Sequence, residues 1–452
     1  VSIWFVHVNE RTGFDLPARR INLETEPCPA VMAGGIDADC CSHYWLEENG
    51  VIIKRPTQPD KPRYAIPSMA DVAKLRGSRG YSVVSTFSGC GGSCLGFEWA
   101  GYQILMASEF VPAAQATYRA NHPGVFLDVR AIRELTAEQI LSQTGRERGD
   151  IDVLEGSPPC AAFSSSGRRD ASWGKVRKYS DSDTKQRVDD LFFEFARLVD
   201  GVRPRVFVAE NVSGLVKGRA KGYFKQIFAK LAACGYRVEA RMLDAQWLGV
   251  PQSRQRLIFI GVRDDLGLEP AFPSPLAYRY SVRDAIPGIT AVHGNKERRP
   301  TRRSPNLPAP TVLSGNSRNG RVDGDTDISD FAIGVEWDRL APGKKGRYLN
   351  LIKPVPSEPC PSITAAGGGS STASVVHPSE RRKFTIPELR RICGFPDDFV
   401  LTGTYAQQWE RLGRAVPPPM MRAVAETIAT QILDRLPGSG RKSKARTVRR
   451  RK

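Results

Sequence analysis

Between residues 81 and 263 short apolar runs alternate with amphipathic stretches, and this alternation limits the fold more than any other feature of the chain. The runs at 81–87, 102–107, 151–154, 206–209 and 257–262 read as buried strands, and the stretches at 111–121, 187–200 and 223–233 carry helical spacing. Strand and helix at this pitch predict a doubly wound α/β sheet, which binds its ligands at the carboxyl ends of the strands. Past residue 263 the periodicity fails. Residues 270–355 are dense in Pro, Gly, Arg and Asn, as expected of a smaller, loop-rich unit. Regular structure returns at Thr385-Ile386-Pro387-Glu388, a capping-box start whose helix is stopped by Gly394 and Pro396. A further helix is expected to follow Pro417-Pro418-Pro419 and to run to about Leu433.

A chain of 452 residues is long enough for two or three folded units at roughly 150 residues each. Residues 1–80 are irregular and their fold is unreadable; they form an N-terminal extension of unknown role. No apolar run approaches the roughly 18 residues of a membrane-spanning helix, and the first ten residues lack the pattern of a secretory signal. A soluble, cytoplasmic protein is the expectation, and its nine cysteines are expected to be reduced thiols. Cys40, Cys41 and His43 lack the usual zinc-ligand spacing, so no metal is expected. The net charge of +18 points to a polyanionic partner, although eight Lys or Arg fall in the basic tail within 437–452. One echo runs through the chain: 26–35 resembles 358–367, and 307–315 is a looser third copy. Related loop elements and coincidence both account for it.

Chemistry concentrates where predicted strands end. The first run leads into Phe87-Ser88-Gly89-Cys90-Gly91-Gly92, a glycine turn that lets a ligand approach the backbone. A dinucleotide site competes for this feature. Glu109, twenty residues after Gly89, is placed to accept both hydroxyls of a ribose, and Asp128 could accept an adenine amino group. Together they read as a nucleoside pocket. In Gly156-Ser157-Pro158-Pro159-Cys160 two prolines stiffen the backbone before a thiol, and the polar run 164–169 beyond it argues for an exposed loop. Glu210 closes an otherwise apolar strand, surroundings that favour the protonated acid and suit a proton donor. Arg254 and Arg256 would face one direction if their stretch is extended, where they could pair Glu210, hold the Cys160 loop or contact a base.

In this order the motifs resemble the DNA (cytosine-5) methyltransferase family over about 81–263 and 385–433. The resemblance implies a Rossmann-like S-adenosylmethionine-dependent sheet, with a catalytic and cofactor-binding domain over 81–269. A target-recognition domain over 270–356 and a closing part of the catalytic domain over 357–436 would complete it. It implies that Phe87, Glu109, Asp128 and Pro159 line the S-adenosylmethionine pocket, with Ser88, Gly89, Gly91 and Gly92 beneath the methionine moiety. Cys160 would be the nucleophile that adds to C6 of a flipped cytosine, Glu210 would contact the base, and Arg254 and Arg256 would support the site. The segment continuing to about Lys178 would be a lid. Arg302, Arg303, Asn316, Arg318 and Arg321 are loose candidates for contacts to double-stranded DNA. The implied setting is a restriction-modification or phage modification system, with a monomeric enzyme, a possible companion endonuclease and a place in the bacterial nucleoid or phage-infected cell. Arg414 stands where Asn is common, Ala161 where Gln is usual and Ser85 where Asp is frequent. RNA cytosine methylation and a non-catalytic DNA-binding protein with a degenerate pocket are the alternatives.

Overall fold

The computed structural model describes residues 61–159, 190–212, 215, 220–286, 336–346, 351–368 and 375–437, together with the strand backbones at 3–8, 21–22, 43–48, 51–53, 176–178 and 185–187. The chain divides into two compact units. Val1–Arg63 with Leu276–Arg279 form one, and Tyr64–Pro275 with Tyr280–Lys452 form the other. The boundary expected near residue 80 falls at 63, because helix α1 (Met69–Leu75) packs within the larger unit. The smaller unit, unreadable in the sequence, holds a four-stranded antiparallel sheet in the order Ile21–Asn22, Ile3–Val8, His43–Glu48, Val51–Ile53.

The larger unit is built on seven strands: β1 (Ser82–Thr86), β2 (Gln103–Ser108), β3 (Phe126–Asp128), β4 (Val153–Gly156), β5 (Val206–Val212), β6 (Tyr236–Asp244) and β7 (Gln255–Arg263). Their order is β6-β7-β5-β4-β1-β2-β3; β7 runs antiparallel to both neighbours and the other pairs are parallel. The chain builds outward from β1 to β3, then returns to lay β4 on the other side of β1. The carboxyl ends of β1 and β4 therefore flank the switch point, where a doubly wound sheet leaves its crevice.

Strand alternation sends side chains to two cores. Val83, Ile104, Val206 and Val208 pack on one face with Phe97 of α2 (Gly92–Trp99) and Met421, Val424 and Ile428 near the C-terminus. Val84, Met106, Phe207 and Ala209 pack on the other with Phe192, Phe195 and Leu198 of α5 (Leu191–Val202), which follows α3 (Pro112–Asn121) and α4 (Ala137–Thr144). Ile227 and Leu231 of α6 (Ala220–Ala233) join this second core. Continuous Val, Ile and Phe runs are what a sheet covered on both faces demands.

The capping box at Thr385 forms as expected and starts α7 (Ile386–Ile392). An unanticipated helix, α8 (Tyr405–Arg414), follows, and then α9 (Pro418–Gln431). Helix α9 lies so close to α2 that a Cβ on Gly96 would stand 2.7 Å from Met421 Cβ, so α9 seals the start of the sheet. Strand Val176–Lys178 pairs with Lys185–Arg187, and α5 begins at Leu191 instead of 187. Among the described residues no helix is long and apolar enough to cross a membrane. Cys90, Cys94, Cys234, Cys360 and Cys393 are buried and free.

Candidate active site

Register aligns the strand ends. Thr86 pairs with Gly156 and with Ser108, Gly156 with Ala209, and Ser108 with Asp128, so four parallel strands finish along one line. The residues just past that line are the glycine turn after β1, Glu109 after β2, Ser157-Pro158-Pro159 after β4, and Glu210 within β5.

In the turn, Phe87 and Gly89 adopt left-handed φ values of 53° and 57°. A Cβ on Gly89 would meet nothing within 4 Å, so this backbone faces open space. Gly91 and Gly92 are held by packing instead. A Cβ would stand 2.2 Å from His122 Nε2 at Gly91 and 2.4 Å from the Val416 carbonyl oxygen at Gly92. Glu109 fastens the turn: its two carboxylate oxygens accept the amides of Gly89 and Val111, each at 2.7 Å. Burial raises its pKa above the ordinary value, against the pull of those amides. Asp128 is likewise buried, but Arg130 reaches both of its oxygens, at 2.5 Å at the closest. Burial alone would raise the Asp128 pKa; the Arg130 hydrogen bonds outweigh it and lower it. The pair lines a cavity of about 340 Å³ beside α4, with Met106, Phe126 and Gln139.

Pro158 sits at the head of the thiol-bearing segment, and its carbonyl accepts a 3.2 Å hydrogen bond from Asn211 Nδ2. The end of β4 is thereby tied to the residue next to Glu210. Cys160 and the rest of its loop as far as 175 lie outside the described residues, as do Arg302, Arg303, Asn316, Arg318 and Arg321.

The two arginines part company. Arg256 Nε lies 2.6 Å from Glu210 Oε1, a close ion pair that is not aligned as a hydrogen bond. Glu210 and Arg256 occupy diagonal positions across the antiparallel β5–β7 pair, where long side chains meet. A guanidinium thus stands in the surroundings expected to be apolar. Arg254 instead donates to the carbonyls of Ile363 and Arg414, at 3.1 and 3.3 Å. Arg254 precedes β7, so the extended stretch begins only after it, yet Arg254 is near enough to feel the charges of both Arg256 and Glu210. Complete burial pushes Arg254 down to about 9, with the like charge of Arg256 adding to the effect, so it stays a cation at neutral pH. Arg414 turns back along α8 to Glu410, at 2.6 Å.

Sequence reasoning passed over Glu155. Buried on β4 directly opposite Ser85, it accepts that hydroxyl at 2.6 Å.

Residues 81–430 match the C-5 cytosine-specific DNA methylase family. The chain belongs to that family. Among curated relatives, the type II methyltransferase M.DdeI of Desulfomicrobium norvegicum is 29% identical over 389 residues, covering 77% of this chain and 88% of the relative. The type II methyltransferase M1.HphI of Haemophilus parahaemolyticus is 31% identical over 351 residues, covering 76% and 86%. A solved Escherichia coli prophage protein, described as a candidate DNA modification methyltransferase, superposes with a TM-score of 0.57. At 23% identity over 78% of this chain and 99% of its own, that likeness speaks for the fold. DNA cytosine-5 methyltransferases of this family transfer a methyl group to C5 of cytosine, and this chain is one of them.

Proposed function

We propose that this DNA cytosine-5 methyltransferase uses S-adenosylmethionine to methylate a flipped cytosine in a specific duplex sequence, through a covalent bond between Cys160 and C6. The reading is supported above all by the single line of strand ends, along which lie the glycine turn, Ser157-Pro158-Pro159 just ahead of Cys160 in sequence, and the Glu210–Arg256 pair. The turn fits the cofactor on two counts: Gly89 leaves its outer face open, and Glu109 is held rigidly beside it. When bound, S-adenosylmethionine supplies a methyl group on a sulfonium, an electrophile that C5 can attack.

The protein's own residues make C5 reactive. Addition of the Cys160 thiolate at C6 pushes electron density toward C5 and the N3–O2 edge. Glu210 holds a proton at N3 while Arg256, already at its side, offers a guanidinium to the developing charge at O2. After C5 is methylated it loses its proton to a base, the C6–S bond breaks, and the thiolate leaves. Arg254 acts farther out, holding the backbone of the closing segment. Asp128 reaches an adenine amino group once Arg130 yields one of its oxygens. The basic composition fits duplex DNA, and the setting is a restriction-modification or phage modification system.

Cys160→Ser is the direct test. It should abolish methyl transfer to DNA while leaving S-adenosylhomocysteine binding intact, and undiminished turnover refutes the assignment of the nucleophile. Competition between duplex DNA and tRNA as methyl acceptors checks the substrate class.

A further inference from the structure

Glu155 is a carboxyl group with 2% exposure, and among the described residues it forms no ion pair. Hydroxyl groups surround it instead. Ser85 on β1 donates at 2.6 Å, and the hydroxyls of Ser93 on α2 and Ser157 after β4 stand near enough to pull its pKa down. The titratable groups facing it are Glu210 from β5, Cys94 from α2 and Tyr118 from α3. Ser85 Oγ lies 2.9 Å from Ser88 Oγ, and Ser88 belongs to the glycine turn. A continuous chain of polar atoms therefore joins a buried acid to the turn.

We propose that Glu155 is a positioning residue for methyl transfer, which sets the direction of the Ser88 hydroxyl through Ser85. The inference rests on reading the glycine turn as the cofactor site. When Glu155 is ionised, the Ser85 hydroxyl must donate to it, leaving only lone pairs toward Ser88; the Ser88 hydrogen turns inward and its oxygen faces the ligand as an acceptor. When Glu155 carries a proton, that proton can be given to Ser85 Oγ, whose own hydrogen then turns to Ser88 and occupies one of its lone pairs; Ser88, which keeps the Ser85 carbonyl at 3.2 Å for its own hydrogen, is left a poorer acceptor for the ligand. One proton thus reverses the polarity of the chain. Burial, opposed by the serine hydroxyls and reinforced by Glu210, pushes Glu155 up to about 7, so the reversal falls at neutral pH. An acceptor at Ser88 suits the ammonium of the cofactor's amino-acid end, so affinity should rise as Glu155 ionises.

The test is the dissociation constant of S-adenosylhomocysteine, measured by calorimetry across the neutral range for wild type, Glu155→Gln and Ser85→Ala. Wild type should bind roughly threefold to tenfold more tightly on the alkaline side, the worth of about one hydrogen bond. Both variants should give a flat profile; circular dichroism confirms that each is folded, and either one suffices if the other is not. A Glu155→Gln profile that keeps the wild-type pH dependence overturns the proposal, as does a flat wild-type profile. Wild type that binds no S-adenosylhomocysteine at any pH refutes the cofactor reading itself.

Discussion

Replacing Glu155 by Gln removes a titration that ought to weaken the folded protein as pH rises. The folded state holds the Glu155 proton up to about 7, whereas an unfolded chain releases it near the ordinary 4.5. A group whose pKa is raised by folding contributes stability that is complete below the unfolded value, declines as pH rises, and is gone above the folded value. At about 1.4 kcal/mol per tenfold change in proton affinity, this interval corresponds to about 3 kcal/mol. Gln, of nearly the same shape and neutral throughout, has no such decline and can still accept from Ser85. The stability of Glu155→Gln relative to wild type should therefore grow by about 3 kcal/mol between about pH 4.5 and about pH 8. With a urea slope of about 3 kcal/mol per molar, the two midpoints should separate by about 1 M over that range. Urea unfolding followed by circular dichroism reads this directly, and groups common to both proteins cancel in the comparison. Midpoints that move in parallel would show that Glu155 does not retain its proton on folding, and the reversal at neutral pH would go with it.

Three further outcomes are open to measurement. Glu109→Ala, which leaves the Gly89 and Val111 amides without their carboxylate, should weaken S-adenosylhomocysteine binding by at least about tenfold in calorimetry. Arg254→Met should destabilise the protein by about 3 kcal/mol or more, since the buried Ile363 carbonyl and the part-buried Arg414 carbonyl lose a charged donor; limited proteolysis should then cut the α8–α9 segment faster. Gly91→Ala places a methyl group against His122 at a φ of 91°, and thermal unfolding should register a loss of about 2 kcal/mol or more. Part of that loss should return in the double variant with His122→Ala.

Much of the sheet was legible because strands covered on both faces carry unbroken apolar runs. β6 escaped for the opposite reason. It lies at the sheet edge, and Arg237, Glu239 and Arg241 interrupt its apolar residues. α4 and α8 each start with a capping box, Thr136 with Gln139 and Thr404 with Gln407, a signal as plain as the one at Thr385 that did reveal α7. At the proposed site, Pro158, Pro159 and the acids Glu109 and Asp128 could be placed at strand ends because each sits within a few residues of its strand. The partners of those acids could not.

Local order along the chain settled the family, the succession of strands and helices, and which side chains stand at strand ends, since each of these depends on neighbours in sequence. Pairing across distance settled the rest. Ser85 meets Glu155 across 70 residues of chain because β1 and β4 lie side by side in one particular register. Arg254 finds the Arg414 carbonyl across 160 residues because the closing segment folds back against the sheet. A one-residue slip in the register of β1 on β4 would turn Ser85 or Glu155 to the opposite face. For that reason the sequence could say which groups were present, and only the folded sheet could decide which of them share a proton, a charge or a hydrogen bond.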